Sequence, residues 1–331
     1  MPATVLVNQS ARTGLRAVLV IAAAIVLLIP IAISVAHGAS RLDYTKVESS
    51  EQLAASARDV RFSLDTGASI TVRTTDADTA TVTMTGVGPR DDVPKLRVEE
   101  TNGESVVTVD DRKVFENARI DVAIPKATSK DTNLTFAGGL GEVDVRGEFN
   151  DVKADTDAGS VSLEGDFEKV QTTTDWGQTR FKGSFGSIEA KSDVGTLEGT
   201  DLKVRDRVDA TTSTGSIDLD FSNEMVPTSG ITVKADEGKI DLRLPRLDLV
   251  KEHMSAEAAG PDDGRDGSAD DGAEVKDLFY RINATSNQGS VDLAKDLEKY
   301  DASKDPKDAE GKAVIPVSVT ADTGAITIDQ N

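Results

Sequence analysis

From about residue 131 onward, apolar and polar residues alternate in short runs, and each run meets a glycine. The phrases read "GLGEVDV" at Gly141, "DAGSVSL" at Gly159, "DWGQTRF" at Gly177 and "DVGTLEG" at Gly195. They continue as "STGSIDL" at Gly215, "DEGKIDL" at Gly238, "NQGSVDL" at Gly289 and "DTGAITI" at Gly324, separated by 18, 18, 18, 20, 23, 51 and 35 residues. Positions two and four after the glycine are usually apolar, as in Val161 and Leu163, Ile217 and Leu219, or Ile326 and Ile328. Such a period of two is the mark of a strand with one buried face. A second apolar pair precedes the glycine, as in Val152 and Ala154, Ile188 and Ala190, or Val319 and Ala321. Each unit reads strand, corner, strand, corner, with the second corner at Gly147, Gly165 and Gly183. Phe149, Phe167 and Phe185 recur 18 residues apart and predict an aromatic stack inside. "DTGASITV" at Gly67 reads as an earlier relative.

A unit of this length buries too little apolar surface to offset the conformational entropy of ordering its backbone. Stacked neighbours must supply the missing hydrogen bonds and the other wall of each buried layer. The period therefore predicts an all-β fold, a β-solenoid of roughly 18-residue coils spaced about 4.8 Å apart.

The corners carry a second column. Asp157, Asp175, Asp193, Ser213, Asp236, Asn287 and Asp322 stand two residues before Gly159, Gly177, Gly195, Gly215, Gly238, Gly289 and Gly324. Asp and Asn bond to backbone N–H groups two residues on, and glycine accepts positive φ. We read these as structural corners. A calcium ladder is the sharper alternative, but the nonapeptide repeats of calcium-binding β-rolls are absent and Ser213 breaks the run. No metal or cofactor is expected.

Residues 59–130 alternate less regularly, in "RFSLDTGASITVRTT", "TATVTMTGVG", "KLRVEETNGESVVTVDD" and "ARIDVAIP". They predict irregular β coils capping the regular array of 131–331, since repeat arrays need atypical ends. Residues 251–276 are acidic and Gly-rich and predict a disordered loop, while 294–313 predict a charged loop with a short helix before Pro306. The last strand, "AITIDQN", leaves a sheet edge at the chain end, and with it an expectation of end-to-end self-association.

At the amino terminus, "AVLVIAAAIVLLIPIAISVA" (17–36) is an uncharged run long enough to cross a bilayer. A cleaved signal peptide is the alternative, with Ser34-Val35-Ala36 as its small-residue site. The flanking Arg12 and Arg16 place residues 1–16 in the cytoplasm and the rest outside. The expected localisation is the bacterial cell membrane, single-pass, with the C-terminal domain extracytoplasmic. Residues 37–58 show no clear alternation and read as a stalk, with a short helix fitting equally.

Composition narrows the function. Aromatics make up 4% of the chain and hydrophobic residues 38%, which suits an elongated fold with a thin core. A net charge of −21 argues against nucleic acid, since no clustered Lys/Arg surface of the kind that neutralising phosphates needs is visible in the sequence. There is no cysteine, hence no disulfide and no thiolate metal site. The two histidines, His37 and His253, lie far from one another in sequence, and the carboxylates recur with the scaffold's period. That pattern disfavours a triad, a histidine metal site or a paired-carboxylate glycosidase. Trp176, the single tryptophan, sits in the corner "DWG" and points outward as a possible contact for a sugar or a protein.

The repeated "D-x-G-S-[VI]-x-L" phrases, glycine corners and amino-terminal apolar segment resemble the bacterial putative-adhesin β-strand-repeat proteins of the DUF4097 type, over roughly residues 60–331. The resemblance implies a β-solenoid at the cell surface with an adhesive or envelope-stress role and no established catalytic residues. The expected function is a non-catalytic scaffold or adhesin-like module, its partners envelope proteins or cell-wall glycans. An envelope-stress sensing partner and a glycan-active β-helix enzyme are the alternatives.

Overall fold

The computed structural model describes residues 44–54, 57–63, 67–89, 95–101, 103–110, 116–258, 277–304 and 309–331. The chain is all-β, and its strands join in one 13-stranded sheet that wraps nearly closed, barrel-like, about a single core. In chain order these are β1 (Tyr44–Gln52), β2 (Asp59–Ser63), β3 (Ser69–Thr75), β4 (Thr81–Pro89), β5 (Lys95–Thr101), β6 (Glu104–Asp110) and β7 (Glu116–Pro125). A four-residue helix, α1 (Lys126–Ser129), leads into β8 (Asn133–Phe221), an extended segment of 89 residues. Then come β9 (Gly230–Leu244), helix α2 (Leu247–Ala258), β10 (Leu278–Gln288), β11 (Val291–Leu293), β12 (Ala313–Thr323) and β13 (Ile326–Gln330). Two 3₁₀ segments, Lys295–Tyr300 and Ala302–Lys304, occupy the expected charged loop.

Within β8 the phrases lie on one another at their sequence step. A Cβ added at Gly159 would stand 1.7 Å from the carbonyl oxygen of Gly141, and one at Gly177 would stand 1.8 Å from that of Gly159. The column continues through Gly195 and Gly215 to Gly238. Gly159 and Gly177 also sit at φ of +142° and +151°. Glycine is thus required twice over there, by the backbone angle and by the carbonyl beneath. Gly165 lies on Gly147 and Gly183 on Gly165, so the second corner repeats the device. Polar pairs follow the same step: Lys182 Nζ donates to Glu164 at 3.0 Å, and Gln171 Nε2 donates to Glu189 at 2.9 Å, each across 18 residues.

The core follows the period-two pattern. Val161, Leu163, Leu197, Ile217 and Leu219 are buried, and Phe149, Phe167 and Phe185 stack with centroids 6.3 and 5.5 Å apart. Val152 and Ala154, Ile188 and Ala190, and Val208 and Ala210 face the same interior.

Five expectations are corrected. First, the single-pass membrane localisation has no spanning element in the structure: no helix among the described residues is long and apolar enough to cross a membrane. The expected tail (1–16) and span (17–36) lie outside the described residues. Second, the stalk assignment fails over Tyr44–Gln52, which is β1, paired antiparallel with β4. Its alternation is hard to see because only Val47 among its described side chains is buried. Third, residues 251–258 are not loop but the end of α2, held by Leu247 and Val250 against the core. Residues 259–276 lie outside the described residues. Fourth, the first member of the glycine column is Ala68, not Gly67, because Ser69 pairs with Glu142. Fifth, "AITIDQN" is no edge: β13 lies between β9 and β11. Gly324 therefore stacks on Gly238, and Gly289 stacks on Gly324, out of chain order.

Candidate functional site

The parallel register of the units turns each residue position into a row running along the molecule. One position before the glycines, Ala158, Trp176 and Val194 form such a row on neighbouring units, flanking glycines that lie on one another. Ala158 and Val194 are half-buried, and Trp176 is 64% exposed between them. Two positions before the glycines, Asp157, Asp175 and Asp193 are all exposed. Of the other corner residues, Asp236 pairs with Lys234 Nζ at 2.8 Å, and Asp322 accepts from Asn287 Nδ2 at 3.1 Å.

The expected corner bond is not made. Among the described residues, no corner carboxylate accepts a hydrogen bond from the backbone N–H two residues on. The glycines carry the turn, joined at the Trp176 corner by a buried hydroxyl bond between Thr174 and Thr179 across it at 3.3 Å, and Asp157, Asp175 and Asp193 stand exposed to solvent. On the far side of Trp176, Arg180 Nη2 donates to Gln178 Oε1 at 2.5 Å, and Gln178 Nε2 donates to Glu198 at 2.8 Å. Arg180 Nε also donates to Glu198, at 3.2 Å. The arrangement is an apolar ring between a row of free acceptors and a tied row of amide, guanidinium and carboxylate. It can stack on the apolar face of a ligand while bonding to its hydroxyl or amine groups.

Concave features lie elsewhere among the described residues. A groove of about 290 Å³ runs beside the stacked phenylalanines, rimmed by Lys130, Asp166, Lys203 and Arg205. Its cations are paired: Lys130 Nζ with Glu148 at 2.7 Å, Arg205 with Glu168 at 2.5 Å and Lys203 Nζ with Glu224 at 2.7 Å. The bonds to Glu148, Glu168 and Glu224 hold all three cations above their ordinary pKa.

The larger feature, about 680 Å³, opens between α2 and the unit around residues 200–224. Asp201, Asp220, Glu224, Glu252 and His253 line it, with the C-terminal Asn331. This is the one-off cluster of carboxylates and histidine that the sequence does not announce. It arises because α2 folds back and because the unit from Gly195 to Gly215 carries two residues more than its predecessors. Asp201 takes a positive φ of 52° there. Asp220 and Glu224 are tied to neighbours: Asn331 Nδ2 donates to Asp220 at 2.8 Å, Lys203 holds Glu224, and His253 Nε2 lies 4.0 Å from Glu224. Among the described residues, a carboxyl group whose pKa is raised is that of Asp218, on the strand face. Burial raises it and Arg243 partly offsets the effect. Among the described residues no group of three or more His, Asp or Glu is placed to hold a metal ion.

No family model matches the chain, and no curated protein matches it. Among solved structures it is similar to a "putative adhesin" of Bacteroides fragilis NCTC 9343, at 13% identity and a TM-score of 0.47, covering 87% of this chain and 97% of that one. A "putative adhesin" of Parabacteroides distasonis ATCC 8503 aligns at 9% identity and a TM-score of 0.43, over 86% and 97% of the two chains. A "putative cell adhesion protein" of Clostridium sporogenes ATCC 15579 aligns at 9% identity and a TM-score of 0.29, over 87% and 100%.

Proposed function

We propose that this chain is a β-solenoid of the DUF4097 putative-adhesin type, acting as a non-catalytic binding scaffold whose contact edge is centred on Trp176. The glycine column supports the solenoid reading, since a carbonyl beneath each corner leaves room only for the next backbone at the same angle. The observation that carries the functional reading is the exposed indole on a row of half-buried apolar residues, with free carboxylates beside it. A ring held on a rigid sheet loses little entropy on binding, and sugars present apolar C–H faces ringed by hydroxyls. The ligand class is therefore a cell-wall glycan, and an envelope protein is the competing outcome.

The chain has one tryptophan, so its fluorescence reports this edge alone. Titration with soluble cell-wall oligosaccharides should shift the emission to the blue, and Trp176→Ala should abolish retention of the full chain on insoluble cell-wall glycan. Unaltered emission together with unaltered retention by the variant would overturn the assignment. Retention on envelope proteins alone, lost in the variant, would keep the edge and replace the glycan.

The carboxylate-lined cleft favours a second reading, a glycan-active enzyme. Two of its acids, Asp220 and Glu224, are tied to Asn331 and Arg243 and to Lys203, whereas glycosidic cleavage asks for one proton-holding carboxyl facing one free carboxylate. Release of soluble sugar by the full chain, lost in Asp220→Asn, would establish that reading in place of ours.

A further inference from the structure

The out-of-order stacking relocates the open end of the sheet. With β12 and β13 lying between β9 and the preceding pair, the outermost unit is β10–β11. The 3₁₀ segments Lys295–Tyr300 and Ala302–Lys304, with Asp301 between them, pack against β10 at the start of this edge. Tyr300 packs edge-on against Phe279 and Tyr280, and Ile282 bridges to Asp301. Beyond Ile282, among the described residues, the outer side of the edge has no strand partner. The side chains register the gap: Val291 is 42% exposed, whereas its register partner Ile326 and the next residue in that row, Ile240, are both 0% exposed.

An unpaired edge is a template for another strand, and folded proteins commonly guard such edges with charge. The edges at the other end of the sheet are guarded. β1 carries Lys46, Glu48 and Glu51, and β5 carries Lys95, Arg97, Glu99 and Glu100. The β10–β11 edge carries charge only near its ends, at Arg281 and Asp292, for no residue from Ile282 to Val291 is charged. In a molecule of net charge −21, this neutral strip is where two copies can approach with least repulsion. Two identical strands meet most simply antiparallel across a two-fold axis, each supplying the other's missing backbone partners.

We propose that the open edge of β10–β11 pairs with the same edge of a second copy of this chain, joining two molecules at their C-terminal ends in a closed, two-fold dimer. The pairing covers Val291 and leaves both Trp176 edges free, so a dimer presents two contact edges on one particle. It rests on strand order and charge, independently of what Trp176 binds.

Sedimentation velocity of the full chain should give the mass of two chains, and Thr285→Lys combined with Asn287→Lys should reduce it two-fold. Both residues are exposed, so an unchanged far-ultraviolet circular dichroism spectrum and urea midpoint would show that folding survives. The chain has no cysteine, so single variants Asn283→Cys, Thr285→Cys and Asn287→Cys give a clean second measurement. At least one should form a covalent dimer with itself through a short bismaleimide. A monomer at every concentration, or a dimer indifferent to the two lysines, would overturn the proposal. So would cross-linking of Thr285→Cys to Glu48→Cys of another molecule in place of itself, which would mean open-ended head-to-tail growth.

Discussion

The middle of the molecule, from Asn133 to Leu244, and its C-terminal part, from Leu278 to Gln330, are written in the same phrase but laid down differently. In the middle, each unit rests on the one before it in sequence, and Gly141 to Gly238 form an unbroken column. At the end, the chain leaves β9, builds the outermost unit first, and then returns to fill the gap with β12 and β13. The phrase dictates the cross-section a unit must have, not its place in the stack. Place is set by connection length: steps of 18 to 23 residues allow only the adjacent level, whereas the 51 residues between Gly238 and Gly289 reach past one level. The inner unit is then sealed on both sides and the outer unit on one.

Substitutions should separate the two regions. The largest contrast is expected at the phenylalanine stack. Phe167→Ala should lower stability by about 3–5 kcal/mol in urea unfolding. Val291→Ala, at the half-covered level, should cost less than about 0.5 kcal/mol. A similar loss at both would mean the outer unit is as enclosed as the inner ones. Next comes the column itself. Gly177→Ala meets both a positive φ and a carbonyl 1.8 Å away, and should cost about 3 kcal/mol or more. Gly289→Ala meets a carbonyl at the same distance but lies on the outermost level, which can lift away, so about 1 kcal/mol is expected.

A smaller effect comes from Tyr280, whose hydroxyl donates to the Pro245 carbonyl at 2.9 Å in the core and ties the outer unit to the start of α2. Tyr280→Phe should cost about 1 kcal/mol. Burial, with a lesser contribution from Tyr300, holds the Tyr280 pKa well above its ordinary value. The folded state therefore keeps this proton to higher pH than the unfolded chain does. Its contribution is full below about pH 10 and is lost as pH rises beyond that, so the alkaline loss of stability should flatten in Tyr280→Phe. An unchanged alkaline limb would remove Tyr280 from that role.

These contrasts also show what a reader of the sequence can see. The repeat is legible because its causes are local and periodic. A carbonyl under every corner demands glycine, and one buried face demands alternation, so Gly159, Gly177 and the Phe149, Phe167 and Phe185 stack stand out in the letters. Stack order is not legible, since "NQGSVDL" and "DTGAITI" suit either level equally. Helix α2 hides because only Leu247 and Val250 anchor it and the residues that follow are acidic. The cleft hides because Asp201, Glu224, His253 and Asn331 converge from four distant places. The corner aspartates mislead in a different way. Their spacing suggests turn bonding, yet Asp236 and Asp322 bond to side chains instead, and Asp157, Asp175 and Asp193 stay exposed to solvent or a ligand.

The central claim, parallel in-register units with the last two exchanged, is tested most directly by pairs of cysteines at exposed positions of a chain that has none of its own. Thr323 stands in register with Glu237 on one side and Gln288 on the other. Under mild oxidation, Glu237→Cys with Thr323→Cys, and Thr323→Cys with Gln288→Cys, should each form an intramolecular disulfide, while Glu237→Cys with Gln288→Cys should not. A bridge between positions 237 and 288 in place of 237 and 323 would mean the units stack in chain order, and the account of the open end would fall with it.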